Sequence, residues 1–226
     1  MASEKFIPEF QGNLRSFMLN VPECIRECSG IKIFGKRIKS ILFSTDVSII
    51  RNTNADAVIA VYPFTPQPII TQAVMEAADI PVFTGVGGGL TQGKRVQNLA
   101  IHAENQGAIG VVLNAPTTNK SLKAVAERVD IPVVITVVSE KDDIGARLKN
   151  GADIFNVSAA SKTAEIVAKI RREFPSAAII ATGGPNDDTI RQTIAAGANA
   201  ITWTPPSNGE VFKDIMDAYR KGQPHP

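Results

Sequence analysis

The sequence predicts a single-domain (β/α)8 barrel. Three observations carry that prediction: short runs rich in Val and Ile recur along the chain, amphipathic helical patterns separate them, and eight such runs can be counted. Strands that are apolar at nearly every position are buried on both faces, the condition of a parallel sheet covered by helices. Eight strands with their crossovers close most simply into a barrel, and 226 residues fits the lower end of that architecture. An open doubly wound sheet is the alternative.

After a polar N-terminal stretch, VPECIRECSG (21–30) reads as an extra helix packing on the N-terminal side of the barrel, and IKIFGKR as a short strand or turn. Residues 1–37 are therefore expected to form an extension and 38–222 the barrel. The first barrel strand is SILFST (40–45), followed by DVSIIRNTN, whose Asp46 can cap a helix. DAVIAVY (56–62) precedes PIITQAVMEAA, and PVFTGV (81–86) precedes KRVQNLAIHAENQG. IGVVLN (109–114), PVVITVV (132–138) and DIFNVSA (153–159) lead into KSLKAVAERV, IGARLKNG and TAEIVAKIRREF. AAIIATGG (177–184) leads into DDTIRQTIAAGA, and AITWT (200–204) is the eighth strand. Several helical patterns close with Gly just before the next strand, a common helix stop. No linker or composition shift marks a domain boundary.

Composition excludes several functions. With 44% hydrophobic and 20% charged residues the chain is globular, not disordered, collagenous or a disulfide scaffold. No apolar run reaches the roughly 18 residues of a membrane span, and MASEKFIPEF lacks the apolar stretch of a signal peptide, so a cytoplasmic protein without a membrane role is expected. A net charge of +2, from 24 basic and 22 acidic residues, is too small for a surface built to grip a polyphosphate, so nucleic acid is not expected as a partner. Cys24 and Cys28 stand one helical turn apart with no second Cys/His pair nearby, which makes them structural thiols. His102 and His225 cannot lead a triad or a metal cluster, so no metal and no cofactor is expected.

In such barrels the reacting groups come from the C-terminal ends of strands and the loops that follow. Here that ring comprises Asp46, Tyr62, the loop Gly85–Arg95, Asn114 with Thr117 and Thr118, Thr136 with Glu140, Asn156 with Ser158, Thr182–Asn186 and Thr202–Ser207. It is polar but poor in strong acids and bases. Asp46 and Glu140 are the carboxylates near strand ends before the seventh strand, hence the candidate acid or base, although Asp46 can equally be a helix cap.

The loop GVGGGLTQGKR sets Gly87, Gly88 and Gly89 before Lys94 at a helix start, an arrangement that could offer backbone N–H groups and a cation to an anion. A tight turn or flexible lid is the equal alternative. Gly183 and Gly184 in ATGGPNDD occupy the turn where barrels commonly hold a phosphate. Asn114, and Asn156 with Ser158 two residues apart on one strand, can point into the mouth, where a ligand or water must satisfy them. Trp203 can stack on a bound ring or close the rim, Tyr62 can meet a ligand or a neighbouring loop, and Lys120, Lys141 and Lys162 can draw an anion inward or simply be solvated. The expected partner is a small anionic metabolite, phosphorylated or carboxylated.

The stretch DIPVVITVVSEKDDIGARLKNGADIFNVSAAS, then FPSAAIIATGGPNDDTIRQTIAAGANAI, resembles the second half of the 2-keto-3-deoxy-6-phosphogluconate aldolase group of ribulose-phosphate-binding barrels. The resemblance spans about residues 57 to 207 and implies the barrel fold, a phosphate-type site and a homo-oligomer, a trimer in that family. The family forms a Schiff base through a lysine just past the GAD element; that position is Asn156 here, and an amide cannot form the imine. Its general-base glutamate falls on Ala60, and its closing phosphate loop on Thr202, Trp203, Thr204, Pro205 and Pro206, where two prolines remove two N–H donors. The expectation is a lyase, isomerase or hydrolase that uses no Schiff base. The alternative is a non-catalytic sensing barrel of the kind that the glycerol-uptake antiterminator family resembles.

Overall fold

The computed structural model describes residues 6–10, 12 and 18–225; the remainder of the expected N-terminal extension (1–5, 11 and 13–17) lies outside the described residues. Cys24 lies within, and Cys28 ends, a short 3-10 turn, Glu23–Glu27, rather than the α-helix expected from their spacing. Pro22 fixes the start, and the chain turns extended at Cys28 (φ −55°, ψ 146°) before a second turn can form. IKIFGKR is a hairpin of β1 (Ile31–Ile33) and β2 (Lys36–Ile38), whose turn places Phe34 and Gly35 at positive φ.

The barrel follows as β3 (Ser40–Phe43), β4 (Ala57–Ala60), β5 (Val82–Gly87), β6 (Gly110–Leu113), β7 (Val133–Val137), β8 (Ile154–Val157), β9 (Ala178–Thr182) and β10 (Ala200–Trp203). All neighbours pair in parallel in chain order, and β10 closes on β3 with Ile201 opposite Ser40. All eight lie within the eight runs read from the sequence, apart from Gly87 at the end of β5. The intervening helices are α1 (Val47–Arg51), α2 (Pro68–Ala77), α3 (Lys94–Asn105), α4 (Asn119–Ala126), α5 (Ile144–Lys149), α6 (Thr163–Glu173) and α7 (Asp187–Ala195). A closing helix, α8 (Asn208–Arg220), is not among the helical patterns singled out above; it starts in a capping box between Ser207 and Glu210.

Strand alternation sorts the apolar side chains into two layers. Outward residues such as Val58, Val111, Ile135, Phe155 and Ile179 pack against the helices. Inward residues Ile41, Ile59, Phe83, Val112, Val134, Ile154 and Ile180 fill the lower barrel, joined there by Ile33 and Ile38 of the hairpin. Gly110 makes room for the largest of these: a Cβ there would stand 2.8 Å from the Phe83 ring.

The N-terminal end is sealed by a repeated device. The residue just before a strand accepts a hydrogen bond from the first N–H groups of the preceding strand. Asp56 accepts from Lys39 and Ser40 (both 2.9 Å), Asp153 from Val133 (2.8 Å) and Asn199 from Ile179 (2.9 Å). Arg26 of the 3-10 turn pairs with Asp56 at 2.9 Å, tying the N-terminal segment to this end. Among the described residues no helix is long and apolar enough to cross a membrane.

Candidate functional site at the barrel mouth

At the C-terminal end the inward positions change from Ile and Val to Asn, Thr and Ser. Asn114 follows β6, Thr136 ends the inward row of β7, Asn156 and Ser158 that of β8, Thr182 that of β9, and Thr202 and Thr204 that of β10. With Phe43, Ile59 and Val61 they enclose a cavity of about 260 Å3 inside the upper barrel. Three of its polar atoms, Thr136 Oγ1, Asn156 Oδ1 and Thr202 Oγ1, are buried with no hydrogen-bond partner. Unpartnered buried oxygens cost on the order of 1–3 kcal/mol each, so a native structure keeps them where something else satisfies them.

A larger vestibule of about 580 Å3 opens above this cavity and shares Phe43, Val61, Asn114 and Thr204 with it. Its other walls include Ile49, Tyr62, Pro63, Pro205 and Pro206, with Asp46 at the rim. A side recess of about 440 Å3 lies between the loops 62–66 and 87–91 and meets both at Asn114. Asn114 is thus common to all three spaces. Among the described residues, no Lys, Arg or His lines any of them, and Asp46 is their sole carboxylate.

Asp46 is also the cap of α1. Its Oδ1 accepts from the Ser48 and Ile49 amides (2.9 and 3.2 Å) and the Ser48 hydroxyl (2.7 Å), while Oδ2 accepts from Asn208 Nδ2 (2.5 Å). Burial pushes its carboxyl up, but these bonds outweigh it and hold it below the ordinary carboxylate range. It therefore stays ionised and fastens α1 to α8. Glu140 is placed elsewhere: it borders a separate hollow between α5 and α6 and lies 3.8 Å from Lys162. The structure does not bring the two carboxylates together.

The glycine positions divide. Gly88 sits at φ +120°, where a Cβ would fall 2.3 Å from the Asn114 carbonyl, so this loop turns tightly against the end of β6. Its N–H donates to Thr91 O at 3.2 Å, and Asn114 N donates to Gly87 O at 2.8 Å. Gly87, Gly88 and Gly89 all line the side recess, whereas Lys94 opens α3 in solvent and lines none of the three spaces. Gly183 donates its N–H to Thr202 O at 3.2 Å and is packed under Ile190 and Ile201, so that amide is already used. Gly184 is exposed beside the start of α7, whose first turn carries Asp187 and Asp188, two negative charges where an anion would dock. Trp203 points outward into the helix-facing core. Tyr62 meets the neighbouring loop, its hydroxyl accepting the Gln67 N–H at 2.9 Å, and it also lines the vestibule and the side recess.

Sequence reasoning set Asn114, Asn156 and Ser158 on the mouth, and the structure brings them together with Thr136, Thr182, Thr202 and Thr204, which lay in the strand-end ring but were not singled out. The signal was present as polar residues spaced by two at the ends of the later strands. Among the described residues no cluster of three or more His, Cys, Asp or Glu could hold a metal ion.

No protein-family model and no curated protein matches the chain. Solved structures do. A protein described as a phosphonomutase from Burkholderia cenocepacia J2315 is 15% identical with a TM-score of 0.61, over 81% of this chain and 92% of that one. A phosphonopyruvate hydrolase, solved with oxalate and Mg2+, is 10% identical with a TM-score of 0.62, over 85% and 86%. A dihydrodipicolinate synthase from Bacillus anthracis is 16% identical with a TM-score of 0.57, over 81% and 76%. At these identities the likeness is one of fold, the (β/α)8 barrel; the particular aldolase group that the sequence resembles is not singled out by it.

Proposed function

We propose that this chain binds a small oxygen-bearing metabolite, carboxylated rather than phosphorylated, in the barrel mouth and acts on it as a lyase, isomerase or hydrolase that uses no Schiff base. The observation that carries the reading is the convergence of Thr136, Asn156 and Thr202, with their oxygens buried and unpartnered, on one cavity at the end of a (β/α)8 barrel where such enzymes work. Barrels described as a phosphonomutase, a phosphonopyruvate hydrolase and a lyase/mutase share the fold, which agrees with it.

The preference for a carboxyl group follows from the walls. Asn amides and Thr hydroxyls can hold a single spread charge with neutral donors. A phosphate near two negative charges is met by cations or free helix N-termini. Among the described residues the mouth offers no cation, Gly183 has spent its N–H, and Asp187 and Asp188 guard the adjoining helix start. Asp46 lines the vestibule wall, but its two oxygens are committed to the cap of α1 and to Asn208, so it fixes that wall, and Glu140 borders a separate hollow.

Thermal unfolding against a panel of carboxylic acids, hydroxy acids, phosphorylated sugars and inorganic phosphate tests this. A carboxylic or hydroxy acid at 100 times its Kd is expected to add about 2.7 kcal/mol of stability, and Asn156→Ala to remove that gain. Stabilisation by phosphorylated compounds alone overturns the carboxylate reading, and a gain that survives Asn156→Ala overturns the site.

A further inference from the structure

The polar floor and the apolar vestibule belong to one continuous space, and their chemistry differs. We infer that the ligand is amphipathic: a head bearing a hydroxyl or amide, which donates as well as accepts hydrogen bonds, enters the barrel, and an aromatic or branched aliphatic body lies in the vestibule. This deepens the proposed function and rests on the mouth being the binding site.

The head is set by satisfiability. Thr136 Oγ1 and Thr202 Oγ1 can donate to a ligand oxygen, but Asn156 Oδ1 only accepts, and it is buried without a donor. A ligand that only accepts, such as a bare carboxylate or a phosphate, leaves that oxygen stranded. A 2-hydroxy acid or a hydroxy amide satisfies all three: its carboxyl or carbonyl oxygen accepts from the threonines and its O–H or N–H donates to Asn156.

The body is set by the walls above. Phe43, Val61, Tyr62 and Pro206 form a mostly apolar enclosure directly over the floor, and Phe43 and Val61 line both spaces. In the adjoining recess Phe64 is 75% exposed and Leu90 fully exposed. Single exposed apolar residues are ordinary, but these two face one recess that joins the floor at Asn114. Polar partners lie along one side of the vestibule, at Ser44, Asp46, Ser207 and Asn208, and against the opposite apolar walls a ring or branched chain would leave water.

Saturation-transfer NMR titrations with lactate, 3-phenyllactate, 3-phenylpropionate and 2-phosphoglycolate separate the parts. The expected order has 3-phenyllactate binding at least about tenfold more tightly than lactate, and 3-phenylpropionate, which lacks the hydroxyl, weaker than 3-phenyllactate. Asn156→Ala should make the two phenyl compounds bind alike, with the melting temperature of the free protein as the folding control. Tyr62→Ser, which removes an apolar wall of the vestibule and does not touch the floor, should weaken 3-phenyllactate severalfold and leave lactate unchanged. If lactate binds as well as 3-phenyllactate, the amphipathic inference fails while the mouth remains the site. If 2-phosphoglycolate binds most tightly, the head assignment and the carboxylate reading fail together, and if none of the four binds, both the inference and the proposed function fall.

Discussion

The two ends of the barrel are built from similar strands and meet water in opposite ways. At the N-terminal end the first N–H groups of β3, β7 and β9 are taken by Asp56, Asp153 and Asn199, and the hairpin β1–β2 sends Ile33 and Ile38 under the lower barrel. At the C-terminal end the strand tips leave Thr136, Asn156 and Thr202 unanswered above the same apolar layer. One end spends its polar groups on itself and the other holds them in reserve. The proposed function puts recognition at the second end and leaves stability to the first, the division expected of a barrel whose ligands enter from the C-terminal side.

That division predicts where substitutions act. The largest effect belongs to the lower barrel: Phe83→Ala, which empties the space that Gly110 leaves for the ring, should cost about 3–5 kcal/mol in urea unfolding. A much smaller loss would mean that the lower barrel collapses around the hole and is not the rigid end. Next comes Asp56→Ala, which strips partners from the Lys39 and Ser40 amides and from Arg26 and should cost about 1.5–3 kcal/mol.

The same residue makes this end acid-sensitive. Burial pushes the Asp56 carboxyl up, but hydrogen bonds from Ser40 and Lys39 and the Arg26 charge outweigh it and hold it below the ordinary range. A lowered folded value means the contribution is complete above the pKa of the unfolded chain and lost as pH falls through the folded value. Asp56→Ala should therefore flatten the acid limb of the stability profile, and an unchanged limb would assign acid sensitivity elsewhere. The smallest effect belongs to the mouth. Thr202→Val keeps the shape and removes an unpartnered oxygen, so it should be neutral or stabilise by up to about 1 kcal/mol. Clear destabilisation would show that Thr202 serves the fold and would erase the contrast between the ends.

Much of this was legible before the structure. Runs such as AVIA and VVITV, apolar at nearly every position, state their double burial directly, so the strand count and closure followed. The capping of the lower end was also written, unread, in the phrases NADAV, GADIF and GANAI, where the residue before the strand is Asp or Asn each time. The 3-10 turn at Cys24 was not legible, because cysteines four apart fit a helix and it is the following extended residue that stops it. Glu140 and Lys94 matched useful residue types at useful places, yet they stand three residues past β7 and seven past β5, and a loop of that length is enough to turn such a side chain out of the mouth.

By itself, then, the sequence determined the alternation, the apolar layers and the absence of a lysine where Asn156 stands, since each depends on residues near one another along the chain. Only the tertiary structure decided which polar groups share the cavity. Asn114, Thr136, Asn156 and Thr202 come from the ends of four different strands, and it is the register of eight parallel strands around a closed barrel that lifts them to one level.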